Sequence, residues 1–221
     1  MSIATNLDTI KRSLPHGVKL VAVSKFHPES AILEAYNDGQ RVFGESRMQE
    51  LDRKQKQLPE DIEWHFIGHL QTNKVKYIVP YIHTIESVDS TKLLAEINRQ
   101  AAETGRIINC MLEIHIAEED TKYGLSHEEC RQFLTAGEWK SLNNVRITGL
   151  MGMATYTEDT EQIRNEFRSL KQFYDELKDS CFNDKPYFSD ISMGMSHDYG
   201  IAIEEGSTII RVGSSIFGER T

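Results

Sequence analysis

The feature that most limits how this chain can fold is an alternation that runs through it from end to end. Short apolar runs of strand length occur at residues 18–24, 40–43, 62–67, 82–86, 107–115, 145–150, 186–191 and 207–212. Between them lie segments whose apolar residues recur every three or four positions. After Thr160, for example, Ile163, Phe167, Leu170, Phe173 and Leu177 fall on one helical face. The spacer 28–38 opens on Pro28-Glu29 and stops at Gly39, and 90–103 opens on Ser90 and ends before Gly105. These are the residues with which helices start and stop. A further helix is predicted over 3–13. Eight strands alternating with helices predict either a doubly wound sheet or a closed barrel. The first strand leads into Ser24-Lys25-Phe26-His27-Pro28, with no glycine of a dinucleotide-binding turn. The reading is therefore α/β, a (β/α)8 TIM barrel with an extra N-terminal helix. No proline-rich or low-complexity linker divides the sequence, so one domain over 1–221 is expected.

Charge and cysteine content narrow the function. The net charge of −9 argues against a nucleic-acid surface. It also requires that any anionic ligand be held by local donors. No window approaches a membrane span, and the first residues lack the apolar core of a signal peptide. Cys110, Cys130 and Cys181 form no CxxC pair, which suits a reducing compartment without a zinc site. A cytoplasmic protein is expected, with neither nucleic acid nor membrane as partner and as a monomer.

Barrel chemistry sits at the carboxyl ends of the strands, and a phosphate is often held by the loops after strands seven and eight. Those loops here are Ser192-Met193-Gly194-Met195-Ser196 and Arg211-Val212-Gly213-Ser214-Ser215. Small residues let backbone N–H groups approach a phosphate, and hydroxyls add donors. Each loop alone reads first as an ordinary capped turn. Lys25 ends the β-branched run of strand one, the neighbour of strand eight in a closed barrel. Alone, it reads first as a lysine reaching into solvent. Taken together, a phosphate cradle and a lysine reactive towards aldehydes point to pyridoxal 5′-phosphate (PLP), carried as a Schiff base on Lys25. Arg211 adds a constraint. A guanidinium can only donate, so a pyridine nitrogen facing it stays unprotonated and the ring is a poor electron sink. Met151-Gly152-Met153 ends strand six, where the glycine lets a flat ring approach. Met151 is accordingly a candidate ring contact, with packing as the competing reading. His65 and His69 share a strand face, but no third ligand of matching type accompanies them, and no metal is expected. Glu118, Glu119 and Asp120 read as a solvated acidic loop.

At these residues the chain resembles a known family, the single-domain pyridoxal phosphate homeostasis proteins, whose barrel is similar to the N-terminal domain of alanine racemase. The resemblance runs nearly end to end. It rests on Ala22-Val23-Ser24-Lys25, Phe43-Gly44-Glu45, the run Trp64 to Lys74, Gly149 to Met153, Ser192 to Ser196 and Arg211 to Gly218. It implies that Lys25 forms the internal aldimine and that Arg211 faces the pyridine nitrogen. It also implies that Ser192 or Ser196, with Gly213 and Ser214, hold the phosphate. Members bind PLP and buffer or deliver it in vitamin B6 homeostasis, without a robust catalytic reaction. Two departures stand near the expected mouth. Ser46-Arg47 replaces the usual Asn-Tyr, and His115 occupies a region that usually contains Asn.

The expectation is thus a PLP carrier and not an efficient enzyme, with apo forms of PLP-dependent enzymes as possible partners. The rival is an amino-acid racemase of the same fold type. In the related racemases a second base, a tyrosine, comes from an additional C-terminal domain of the partner subunit. The sequence runs only nine residues beyond strand eight, to Thr221, so that domain is expected to be lacking. Tyr156 is the local tyrosine that would have to substitute.

Overall fold

The computed structural model describes residues 2–119 and 123–218. Eight parallel strands close into a barrel in sequence order. They are β1 (Lys19–Val23), β2 (Val42–Glu45), β3 (Glu63–Phe66), β4 (Thr84–Val88), β5 (Ile108–Ile114), β6 (Val145–Gly152), β7 (Asp190–Ser192) and β8 (Ile209–Val212). β8 pairs back onto β1, with Val21 opposite Arg211. Helix α1 (Ile3–Ser13) precedes the barrel. The connections carry α2 (Glu29–Asn37), α3 (Met48–Gln55), α4 (Val75–Ile78), α5 (Thr91–Glu103), α6 (His127–Ala136), α7 (Thr160–Ser180) and α8 (Tyr199–Glu204). A single turn, α9 (Ser214–Phe217), follows β8. This is the barrel expected from the alternation, including the N-terminal helix.

Local chemistry sets the element ends. The Ser90 hydroxyl accepts the Leu93 N–H and starts α5, and Asp159 accepts from Glu161 and Gln162 to start α7. Pro28 is the residue just outside α2, so that helix begins at Glu29. One expected strand is displaced. The run 186–191 was read as strand seven, yet β7 begins only at Asp190. Phe188 instead stacks on Phe182 at 4.0 Å and on Tyr174 at 4.9 Å, and its carbonyl accepts from the Tyr174 hydroxyl. The aromatic residue that suggested a strand closes the end of α7 against the barrel wall. Of the acidic loop, Glu118 is exposed and Glu119 half-buried, and Asp120 lies outside the described residues.

Side chains alternate across each strand, so the wall sorts them into two sets. Leu20, Ala22, Phe43, Trp64, Phe66, Ile85, Leu112, Leu150, Ile210 and Val212 belong to the large apolar core beneath the helices. The opposite parity faces the barrel axis. There Val21, Met111, Met151 and Ile209 form a small separate cluster. Polar side chains share that inner face: His65, Glu86, Glu113, Ser192 and Arg211 are all buried. A register shift between β5 and β6 sets Gly149 opposite Met111, and on its other side Gly149 pairs with Asp190 of β7, where a Cβ would lie 1.7 Å from the Asp190 carbonyl oxygen. Only glycine fits that crossing. Among the described residues no helix is long and apolar enough to cross a membrane.

Candidate functional site

The inner face of β1 leads out of the barrel through Val23 to Lys25, and that of β8 leads through Arg211 to Gly213. These ends meet at a cavity of about 540 Å³. Lys25, Arg211, Ser196, Gly213 and Ser214 all line it, together with Val23, His27, Ile67, Met153 and Tyr156. Five of the seven residues singled out in the sequence therefore converge on one mouth. The loops after β7 and β8 are tied to each other. The Arg211 N–H donates to the Gly194 carbonyl at 2.9 Å, and the Gly213 N–H donates to the Ser196 hydroxyl at 3.3 Å. A Cβ on Gly213 would press within 3.1 Å of the Val23 carbonyl. Its absence keeps the loop close to β1.

The other two residues sit elsewhere. Ser192 is fully buried below the mouth, and Met151 belongs to the apolar cluster on the axis. Met153, two residues further along the same face, lines the cavity in the place expected of Met151. Ser192 serves a different end. Its hydroxyl donates to Glu86 Oε2 at 2.5 Å and accepts from Arg211 Nη1 at 2.5 Å. Arg211 Nη2 donates to the Gly152 carbonyl at 3.0 Å. The guanidinium thus reaches the cavity with its head fixed from behind.

Glu86 anchors this arrangement, and the sequence reading passed it over. Burial alone would push its carboxyl up. The hydrogen bond from His65, the charges of His65 and Arg211, and the Ser192 hydroxyl outweigh that, and the group is held below the usual carboxylate range. Because the carboxylate only accepts, His65 Nδ1 is the donor in their 2.5 Å contact. The signal was present in the sequence. Glu86 is the single carboxylate in Thr-Ile-Glu-Ser-Val, a strand buried along its whole length.

The two histidines expected on one strand face part company, because β3 ends at Phe66 and His69 lies beyond it. His69 pairs with Asp89 at 2.9 Å and stacks on Tyr123 at 4.0 Å. His65 approaches Glu63 and His83 at the amino-terminal end of the barrel, where their ligand atoms lie within 4.8 Å of one another. Lys19, whose ammonium pairs with Asp190 at 3.4 Å, lines the same small cavity of about 100 Å³. The two imidazole rings stack with centroids 5.8 Å apart and planes 10° from parallel. At the mouth itself, the departures from the family pattern stand back from the cavity lining. Arg47 covers the Phe26 ring at 4.7 Å, and His115 Nε2 contacts the Glu119 carbonyl at 3.0 Å.

Known proteins similar to this chain supply context for the site. The family model for the alanine racemase N-terminal domain matches residues 1–221. The pyridoxal phosphate homeostasis protein of Aquifex aeolicus is 41% identical over 204 residues, covering 91% of this chain and 87% of the relative. That of Schizosaccharomyces pombe is 38% identical over 210 residues, covering 92% and 84%. Among solved structures, PipY of Synechococcus elongatus, determined with PLP bound, superposes with a TM-score of 0.89 at 37% identity, covering 98% of this chain and all of the other. An alanine racemase of Clostridium difficile shares the fold, with a TM-score of 0.77 at 16% identity over 99% of this chain and 56% of its own.

Glu113 shows what the polar interior costs. It is buried on the inner face of β5, and its carboxyl is pushed up to about 7, first by burial and then by the charge of Asp89, with Arg211 opposing both. The folded protein therefore binds this proton more tightly than the unfolded chain, in which the group titrates near 4.5. The associated stability is fully present below the unfolded value and is lost as the pH rises through about 7. Glu113→Gln should abolish this dependence and raise stability at pH 8 by about 2–3 kcal/mol relative to wild type, measured by urea unfolding. Parallel pH profiles for the two proteins would show that Glu113 is not the group responsible.

Proposed function

The chain belongs to the pyridoxal phosphate homeostasis proteins, and on that footing we propose that it holds PLP covalently through Lys25 and serves as a PLP carrier. The observation that carries this reading is the convergence of Lys25 and Arg211 with Ser196, Gly213 and Ser214 around one cavity. The donor set fits a phosphorylated aldehyde. Ser214 offers an N–H group, Ser196 and Ser214 offer hydroxyls, and Gly213, whose N–H is taken up by Ser196, brings the loop close, so the phosphate needs no basic side chain of its own. That matters in a protein of net charge −9. PLP supplies an aldehyde that condenses with an amine and a ring that withdraws electrons from the adduct.

The residues then divide the work. Lys25 provides the amine from the end of β1. Arg211, held by Ser192 and Glu86, offers donors only, so a ring nitrogen placed against it gains no proton. Tyr156 lines the cavity but is 79% exposed, poorly held for a base that must act at a defined atom. These features support delivery of PLP over turnover, with apo-enzymes as recipients. The three free thiols suit a cytoplasmic setting.

Three measurements test the reading. Borohydride reduction should fix a pyridoxyl group on Lys25, located by peptide mass spectrometry, and Lys25→Ala should lose the visible absorption while melting at the wild-type temperature. An adduct on Lys19 or Lys74 would refute the assignment. Pyridoxal without its phosphate should bind at least about ten-fold more weakly, since charge-assisted hydrogen bonds contribute roughly 1.5–3 kcal/mol each. Equal affinities in calorimetry would remove the phosphate cradle. Purified protein should racemise alanine negligibly. Steady turnover that disappears in Lys25→Ala would overturn the carrier reading and direct attention to Tyr156.

A further inference from the structure

On the outer side of the barrel wall, a second buried charge cluster lies against the turn that presents Lys25. Ser24 and Glu45 share the outward parity of their strands, and both are fully buried beneath α3. Lys54 of α3 is fully buried with them. Its ammonium donates to Glu45 Oε1 at 2.7 Å, to Glu50 Oε1 at 2.7 Å and to the Ser24 carbonyl at 2.8 Å. All three of its protons are used. The Ser24 hydroxyl donates to Glu45 Oε1 at 2.6 Å, and Glu50 Oε1 also accepts the Phe26 N–H at 2.7 Å.

The backbone groups held here are the informative ones. The Ser24 carbonyl belongs to the peptide unit on one side of the Lys25 Cα, and the Phe26 N–H to the unit on the other side. Each peptide is planar, so fixing both planes fixes the two soft dihedrals of Lys25 and with them the direction in which its side chain leaves the backbone. Phe26 is also the one non-glycine residue with a positive φ among those described, at 69°. Such a conformation persists in a non-glycine residue when its surroundings hold it. The Glu50 carboxylate on its N–H is that hold.

We propose that Lys54, Glu45 and Glu50 form a positioning device for Lys25, gripping the peptide units before and after it so that its amine is presented to the cavity in one direction. The inference rests on the reading of Lys25 as the PLP attachment point. A plain tie between α3 and β2 would need only the side-chain contacts among Lys54, Glu45 and Glu50. The two bonds to backbone at residues 24 and 26 are what that simpler role leaves unexplained.

The test separates attachment from pocket integrity. Wild type, Glu50→Ala and Glu50→Gln are compared with two ligands, each variant first shown to melt cooperatively. PLP reports on the covalent link, through visible absorption and the borohydride-trapped fraction. Pyridoxine 5′-phosphate has a hydroxymethyl group in place of the aldehyde and reports on ring and phosphate contacts alone. Glu50→Ala should slow link formation and weaken PLP binding by about ten-fold or more, while its affinity for pyridoxine phosphate stays within about two-fold of wild type. Glu50→Gln keeps an acceptor oxygen and should remain within about three-fold of wild type for both ligands. Should Glu50→Ala fail to fold, Glu50→Asp, which withdraws the carboxylate by one methylene, makes the same comparison. Unchanged attachment in the variant, or an equal loss of both ligands, would overturn the positioning role alone. Wild-type protein that takes up neither ligand would overturn the cofactor reading and this inference with it.

Discussion

A carboxylate at the centre of a barrel is tolerable only if its lone pairs are engaged, and Glu86 meets that condition with three different partners. His65, Ser192 and the Arg211 charge reach it from β3, β7 and β8. Isolated in an apolar interior, the group would take up a proton. Surrounded in this way it stays ionised, and its charge then dictates what its neighbours do. Ser192 spends its proton on Glu86 and has only its lone pairs to offer Arg211. His65 is held with Nδ1 as the donor. The guanidinium of Arg211, 3.8 Å from Glu86 Oε2, reaches the cavity as one member of a neutralised pair. Charge at the mouth is therefore governed from the barrel axis, well below the residues that line it.

The same wall supports a second polar network on its other side. Strand alternation sends Glu86 and Arg211 inward, and Ser24 and Glu45 outward. The inner network fixes one arm of the candidate site at β8. The outer one, through Lys54, bears on the turn after β1. Buried ion pairs of this kind add little net stability, because desolvation offsets their attraction, while removing one partner leaves an unpaired charge behind. Their contribution here is geometric. Two neighbouring strand ends are held from opposite faces of the sheet, and the cavity lies between them.

The barrel was legible because its signals are local and repeated: eight apolar runs, helical spacing between them, and caps such as Ser90 that act within three residues. Lys25, Arg211, Ser196, Gly213 and Ser214 were legible as a group because the closure of β8 onto β1 brings strand ends together in a way topology alone predicts. What topology could not supply was depth along the axis. Ser192 and Met151 have the right inward parity but lie one layer too low, and Ser196 and Met153 stand at the mouth instead. The strand expected at 186–191 begins late, at Asp190, for a related reason. Phe188 is apolar because it packs on aromatic rings outside the sheet, and composition cannot distinguish that burial from a strand's. Lys54 was the least visible of all. In Met-Gln-Glu-Leu-Asp-Arg-Lys-Gln it is one cation among charged neighbours on a helix, and the partner that gives it meaning, the Ser24 carbonyl, is thirty residues away.

This division also bears on how an acidic protein presents a site suited to an anion. Between exposed charges the repulsion from a net −9 is screened over about 8 Å at physiological ionic strength, so it acts mainly on the approach of a ligand and little on its hold. Inside the mouth the decisive groups are dipoles and hydroxyls within hydrogen-bonding reach, and those are set by backbone path. The loop after β7 bends at Gly194 with φ 98°, and its carbonyl takes the Arg211 N–H. The N–H of Gly213 meets the Ser196 hydroxyl, so each loop braces the other. Loops braced in this way keep their remaining N–H groups and hydroxyls aligned whatever the surrounding field, whereas a site built from flexible lysines would have had to order them against it. The neutralisation of Arg211 by Glu86 completes that logic: a buried cation at the mouth adds direction to the site without adding net charge.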